Sequence, residues 1–308
     1  MIRFRRLFDL SNEREKQKFE EIRGLFVAAF PAETEAIDRI RATMSQPLAR
    51  AFEPVLIVAE NQRQRVVGLS FVFYFAELRY GYLQYIASDP GQSGRGVGGA
   101  LYDAMREVLV GKGARGLFLD VPPDHPDKVD DPKRLAINRR RIKFYERYGA
   151  FPVEGTDWDV VPNPRNENYL TMLLYDPLGR RGRLRATEAR QAVRAILTCQ
   201  YGYDARDPFV QRIAGSFRDD PVKLRIPVSE PTPVSPVRGR LIDPVSMVVS
   251  EGHAIHHLRE KGYVERPVRV RQILAGVAGL PVARAKSRRV LALKALFCPE
   301  FAFAEKCR

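Results

Sequence analysis

"SDPGQSGRGVGGALYDAM" (residues 88–105) is a loop that becomes a helix. Glycines stand at 94, 96, 98 and 99, with Arg95 among them, and Val97, Leu101, Met105 and Val108 follow at the spacing of one helix face. So many bare backbone N–H groups at a helix start favour an anion, most often a phosphate. The apolar run "GYLQYIAS" (81–88) before it reads as a strand, and so does "GLFLDV" (116–121) after it. A strand, a glycine loop, a helix and a second strand make an α/β unit, and the rest of the chain is read outward from it.

Upstream, residues 2–8 read as a strand, and Asn12 caps a helix reaching about Phe30, with Phe19, Ile22, Leu25, Phe26 and Ala29 on its buried face. A second helix is expected over 33–46, after Pro31, then "PVLIVAE" (54–60) and "RVVGLSFVFYFAEL" (65–78) form a hairpin about "NQRQ". Downstream, a loop with four prolines leads to a helix over 134–148 ending at Gly149, and strands near 150–160 and 168–175 close the block. The expected order is β-α-α-β-β-β-α-β-α-β-β, one α/β domain over 1–178. A helical extension (179–225), a Pro-rich linker (226–245) and a basic, partly helical segment (246–308, helices near 253–261 and 268–276) complete the chain.

Taken literally, Gly94-Arg95-Gly96-Val97-Gly98-Gly99 satisfies the dinucleotide pattern G-x-G-x-x-G, with Asp120 some 20 residues on at a strand end. That makes an NAD-binding Rossmann protein an alternative. Two features oppose it. Five residues, Asp89 to Ser93, separate the strand from Gly94, whereas the tight turn of that motif follows its strand at once. The motif also ordinarily opens its domain, and here a meander and two helices come first.

The whole neighbourhood resembles instead the coenzyme A loop of the GNAT (GCN5-related) N-acetyltransferases, Q/R-x-x-G-x-G/A entering a helix from the fourth strand. Its register falls on Ser93, Gly94, Arg95, Gly96, Val97 and Gly98, with Ser93 where the family has Gln or Arg. The substitution weakens the pattern little, because main-chain N–H groups do the binding and glycines let the backbone approach. "AINRRRIKFYERYGAF" (136–151) resembles a second family motif, N-x-x-A-x-x-F/L-Y-x-x-x-G-F: Asn138, Phe144, Tyr145, Gly149 and Phe151 match, with Ala150 inserted and Arg141 where a small residue is usual. The resemblance covers about residues 1–178 and implies a mixed central sheet flanked by helices.

What the resemblance implies for function is transfer of an acetyl group from acetyl-CoA to a primary amine by direct attack in a ternary complex. A thiol titrates near about 8.5 and a tyrosine near about 10, so Tyr145 can protonate the leaving sulfur as general acid. Ile86, Ala87 and Ser88 would hold the pantetheine by their main chain, and Ser93, Gly94, Arg95, Gly96, Val97, Gly98 and Gly99 would bind the pyrophosphate. Asn138 would hold the donor or an ordered water, and Arg139 and Arg140 could approach its phosphates. Glu77 and Asp120 are the candidate bases, beside a relay through water. The acidic loop "PPDHPDKVDDP" (122–132) would draw a cationic acceptor such as a polyamine, a small amine or a lysine side chain. The same fold without turnover, an acyl-CoA-binding regulatory protein, is the competing class, and the retained Tyr145 and Asn138 favour the enzyme. The family often dimerises, so a homodimer is expected.

The net charge of +14 is uneven: 24 Lys/Arg face 12 Asp/Glu after residue 180, against 27 and 25 before it. No helix-turn-helix, zinc-finger or aromatic stacking pattern accompanies the basic part, so no nucleic-acid partner is expected. Cys199, Cys298 and Cys307 form no paired framework or C-x-x-C, which fits a reducing compartment. With no h-region after Met1 and no apolar run near the roughly 20 residues a membrane helix needs, a cytoplasmic protein without membrane contact is expected. His253 and His257 are spaced i, i+4 but lack a third ligand, so no metal is expected. The stretch about 251–281, with "VERPVRVR" (264–271), resembles the N-terminal segment of histone deacetylase-family amidohydrolases. That family's catalytic histidine pair and zinc ligands do not follow, so the resemblance implies a link to a deacetylase-family protein, as in a truncated fusion, rather than deacetylase activity.

Overall fold

The computed structural model describes residues 2–89, 91, 96–164, 170–225, 245–247 and 282–284. The expected helices near 253–261 and 268–276, His253, His257 and most of the linker lie outside the described residues, as do Ser93, Gly94 and Arg95 of the glycine loop. The chain divides into two units, Met1–Val237 and Arg238–Arg308. In the second, β8 (Val245–Met247) pairs in parallel with β9 (Val282–Arg284).

The first unit runs β1 (Arg3–Leu7), α1 (Glu13–Ala29), α2 (Ala36–Ser45), β2 (Glu53–Glu60), β3 (Val66–Phe75), β4 (Tyr80–Ser88), α3 (Val97–Gly111), β5 (Gly116–Val121), α4 (Pro132–Glu146), β6 (Phe151–Pro152), β7 (Met172–Asp176), α5 (Ala186–Tyr201) and α6 (Pro208–Gly215). The seven strands stand in the order β1-β2-β3-β4-β5-β7-β6, and within this sheet only β4 and β5 run parallel. A mixed, largely antiparallel sheet is the GNAT arrangement, and it excludes the doubly wound parallel sheet that the dinucleotide reading requires. Several boundaries differ from expectation: α4 runs Pro132–Glu146 rather than 134–148, and β7 starts at Met172 rather than near 168. Helix α2 starts at Ala36 rather than 33, β3 stops at Phe75 rather than 78, and the strand expected near 150–160 is two residues long, continued by a bridge between Val153 and Leu224.

Period-two alternation divides the sheet's side chains between two cores. Leu56 and Val58 of β2 and Leu69, Phe71 and Phe73 of β3 pack with Phe19, Ile22 and Phe26 of α1 and Ile37, Ile40 and Met44 of α2. Val55, Ile57 and Ala59 of β2 and Val72 and Tyr74 of β3 pack with Leu101, Met105 and Leu109 of α3 and Ile142 of α4. Helix α5 joins the first core through Ala189, Ala192, Val193, Ile196 and Leu197. Helix α1 starts where its cap dictates: the Asn12 side-chain oxygen accepts the Glu15 N–H at 2.9 Å. Replacing Asn12 by alanine should cost about 1 kcal/mol, read as a lower midpoint in urea with an unchanged slope.

One irregularity positions everything that follows. Residue Phe71 faces Tyr85 across the ladder and Val72 faces Leu83, so Gln84 is an extra residue in β4. This bulge breaks the alternation, and Tyr82 and Tyr85 therefore both join the α1 core while Leu83 joins the other. Beyond the bulge β4 also leaves β5: their parallel pairing ends at Leu83 and Leu119.

Candidate active site

Where β4 and β5 part, a cleft of about 440 Å³ opens between them. Residues Gln84 to Ile86 form one wall, Leu119 to Pro122 the other, and Tyr145 and Arg141 of α4, Ala29 to Glu33 at and after the end of α1, and Gln200 and Tyr201 of α5 complete it. Strand β5 past Leu119 is paired with β7, so among the described residues the main-chain groups of Gln84 to Ser88 have no ladder partner on the cleft side. An extended, amide-bearing ligand has a strand edge to pair with there.

At the far end of that edge stands the N-terminus of α3. Its cap, Gly96, lies in the left-handed region at φ 73°, where glycine is at ease, and among the described residues no side chain caps the helix. Residue Ala100 is the first to donate back, to the Gly96 carbonyl, so the N–H groups of Val97, Gly98 and Gly99 are left at the helix start. A Cβ on Gly99 would stand 2.5 Å from the Tyr148 hydroxyl, so glycine there leaves room for the end of that side chain, which comes from the turn after α4. The Val97 side chain is buried in the core and only its backbone serves the loop. Free N–H groups at a helix start suit an anionic group.

Tyr145 and Asp120 line the same cleft, from α4 and β5. Burial pushes the Tyr145 phenol up to about 12, with nearby Arg141 acting to lower it and Asp120 to raise it. The phenol is therefore protonated across the physiological range. Its hydroxyl has no hydrogen-bond partner among the described residues, while the ring packs on Tyr102 at 5.4 Å and Phe144 at 5.1 Å. Asp120 is held on both oxygens: Tyr82 donates to Oδ1 at 2.7 Å and Tyr201 to Oδ2 at 3.0 Å. Burial raises its pKa above the ordinary carboxylate range, against the lowering effect of hydrogen bonds from Tyr82, Tyr201 and Thr171.

Other residues singled out in the sequence fall elsewhere. Glu77 is exposed in the turn between β3 and β4, at the opposite end of β4 from Ile86, and borders a separate groove with Phe8, Phe52 and Cys199. The fold thus takes it out of reach of Tyr145. Asn138 is buried and donates to the Pro123 carbonyl at 2.8 Å, which ties α4 to the loop after β5 instead of facing the cleft. Arg139 and Arg140 are exposed on α4. Of the acidic loop, only Pro122 lines the cleft. Asp124 is engaged by Arg225 through two contacts, at 2.8 and 3.0 Å, and Asp131 caps α4 by accepting the Lys133 N–H. Glu33, which accepts from the Tyr85 hydroxyl at 2.7 Å, is the carboxylate at the cleft mouth. Among the described residues no group of three or more His, Cys, Asp or Glu side chains could hold a metal ion, and no helix is long and apolar enough to cross a membrane.

A family model described as the acetyltransferase (GNAT) family matches residues 19–150. No curated protein sequence matches the chain. Solved structures similar in fold include the ribosomal-protein-S18-alanine N-acetyltransferase from Escherichia coli (15% identity, 59% of this chain and 97% of that one, TM-score 0.42). Another is the PaiA N-acetyltransferase from Thermoplasma acidophilum, solved in complex with coenzyme A (14% identity, 57% and 99%, TM-score 0.39). A third is described as a GNAT-family acetyltransferase from Bacteroides thetaiotaomicron (18% identity, 66% and 99%, TM-score 0.47).

Proposed function

We propose, from the match of residues 19–150 to the acetyltransferase (GNAT) family model, that this chain is an acyltransferase that moves the acetyl group of acetyl-CoA to a cationic primary amine in a ternary complex. The observation that carries the proposal is the meeting of three things in one cleft: the unpaired half of β4, the Tyr145 hydroxyl and the half-buried Asp120 carboxylate.

The chemistry follows from what each group offers. The donor's amides pair with the β4 edge, and its pyrophosphate takes the N–H groups at the start of α3. The acceptor arrives as an ammonium ion among Phe30, Tyr82, Tyr85 and Tyr201, whose ring faces attract a cation, with Glu33 and Asp120 supplying negative charge. Asp120 takes a proton and frees the nitrogen lone pair. The nitrogen attacks the thioester carbonyl, a C–N bond forms, and the C–S bond breaks. Tyr145 gives its proton to the departing sulfur. The nitrogen's second proton returns to Tyr145 through solvent, and Asp120 releases its own, so one ammonium yields one amide, one thiol and one free proton.

The test follows free thiol released from acetyl-CoA against a panel of amines: a polyamine, an aminoglycoside, a lysine-containing peptide and an uncharged amide as control. Release is expected with at least one cationic amine and not with the control. Asp120→Asn should lower kcat/KM by about 10²-fold, the low end for a general base. Calorimetric binding of acetyl-CoA without release for any amine would favour the non-catalytic reading, and binding of neither acetyl-CoA nor an amine would overturn both.

A further inference from the structure

Helix α5 lies wholly outside the residues that the family model matches, yet its last turn forms a wall of the cleft. Five buried aliphatic side chains, from Ala189 to Leu197, already fasten this helix to the sheet. Its final residue, Tyr201, does something else. It sits where Gly202, at φ 68°, ends the helix, and its hydroxyl reaches Asp120 of β5, 81 residues away in sequence, at 3.0 Å. Beside it the Gln200 side chain meets that of Gln84, the bulged residue of β4. Tyr201 and Thr171 also border a second, apolar cavity with Trp158, Leu197, Phe209 and Ile213. The Tyr201 ring is thus a partition between the polar cleft and that cavity.

We propose that Tyr201 is a positioning residue for Asp120, and that α5 thereby completes the acceptor half of the active site. This inference rests on the reading of Asp120 as the base. A carboxylate with one oxygen unheld can rotate about its terminal torsion, which is broad. Tyr82 fixes Oδ1 from the neighbouring strand and Tyr201 fixes Oδ2 from α5, with Thr171 ahead of β7 as a further hydrogen-bonding neighbour. The groups facing Asp120 from the elements around it are Tyr82 of β4, Thr171 ahead of β7, Tyr145 of α4 and Tyr201 of α5, with Arg141 of α4 lining the same cleft. Each of the two phenols, by donating to the carboxylate, favours its charged form. Loss of the Tyr201 hydroxyl therefore makes Asp120 harder to ionise.

The experiment is a pH profile of kcat/KM for the best amine, measured on the full chain as wild type and as Tyr201→Phe. The amine's own titration is common to both, so a displacement between the two belongs to the enzyme. In Tyr201→Phe the acid limb is expected to move to higher pH. At neutral pH kcat/KM for the amine should fall about tenfold, the weight of one hydrogen bond to a charged group, with KM for acetyl-CoA unchanged. Tyr203→Phe, which removes a hydroxyl bonded to Asn163 at 2.6 Å just after the same helix, controls for α5 packing and should leave the profile in place. In an Asp120→Asn background Tyr201→Phe should add almost nothing, because the two act as one unit. Wild-type turnover with an unmoved limb in Tyr201→Phe, or an equal loss in the Asp120→Asn background, would overturn the inference while leaving the acetyltransferase reading intact. Absence of wild-type thiol release would overturn that reading instead.

Discussion

Tyr145→Phe should lower kcat for the best amine by about 10²–10⁴-fold, the range for a lost general acid, and leave KM for acetyl-CoA within a factor of about two. The substitution is clean for a structural reason. The Tyr145 hydroxyl has no hydrogen-bond partner among the described residues to lose, and a phenylalanine ring keeps the contacts with Tyr102 and Phe144. Melting should therefore be unchanged while turnover collapses. The wild type should also show no alkaline loss of activity from this group below about pH 11, because burial holds the phenol at about 12. A variant that keeps full turnover would assign the sulfur's proton to water.

The second large effect concerns stability. Asp176, fully buried at the end of β7, accepts from the Tyr102 hydroxyl at 2.8 Å and the Leu178 N–H at 2.7 Å, and faces the Arg106 Nε at 3.0 Å. Burial raises the Asp176 pKa, with Arg106 the leading influence in the other direction. Asp176→Ala takes from the buried Arg106 guanidinium its nearer counter-charge, leaving only the half-exposed Asp103 at 3.8 Å, and should cost about 3 kcal/mol, measured by urea unfolding. The double variant Arg106→Met/Asp176→Leu removes both charges and should recover most of that loss, because the desolvation cost disappears with them. A double variant as unstable as Asp176→Ala would mean that the pair contributes through hydrogen-bond geometry rather than charge. The pair ties α3 to β7, so the single variant should also loosen the helix that begins at Gly96.

The element order and the identity of Tyr145 and Asp120 as cleft residues were legible in the sequence, because they rest on local signals. Glycines before an apolar helix face, Asn12 before a periodic run and Asp120 closing an apolar strand all carry their meaning within a few residues. What was not legible depends on register. Nothing in "YLQY" (82–85) marks Gln84 as a bulge, and a bulge alone decides that Tyr82 and Tyr85 face the same way. Without the register, Glu77 looked as near the chemistry as Asp120, although β4 separates them by its length. Long-range partners were equally hidden. Asp124 read as a free charge on a rim until Arg225, 101 residues on, was seen to occupy it. Asn138 read as a ligand group, yet its amide belongs to Pro123. Tyr201 carried no motif, and only the docking of α5 gives it a role.

The parting of β4 from β5 has a consequence for the lifetime of the protein. Exposed strand edges are ordinarily confined to the rim of a sheet, where charges or bulges guard them. Here the open edge from Gln84 to Ser88 lies in the middle of the sheet. On the function proposed above, the strand missing from that gap is the substrate itself. A ligand bound only by the folded chain raises its unfolding free energy by roughly 2.7 kcal/mol at a hundred times its dissociation constant. The resistance of this enzyme to unfolding and proteolysis should then rise and fall with the supply of acyl donor, so that cellular acetyl-CoA sets how much enzyme survives as well as how fast it turns over.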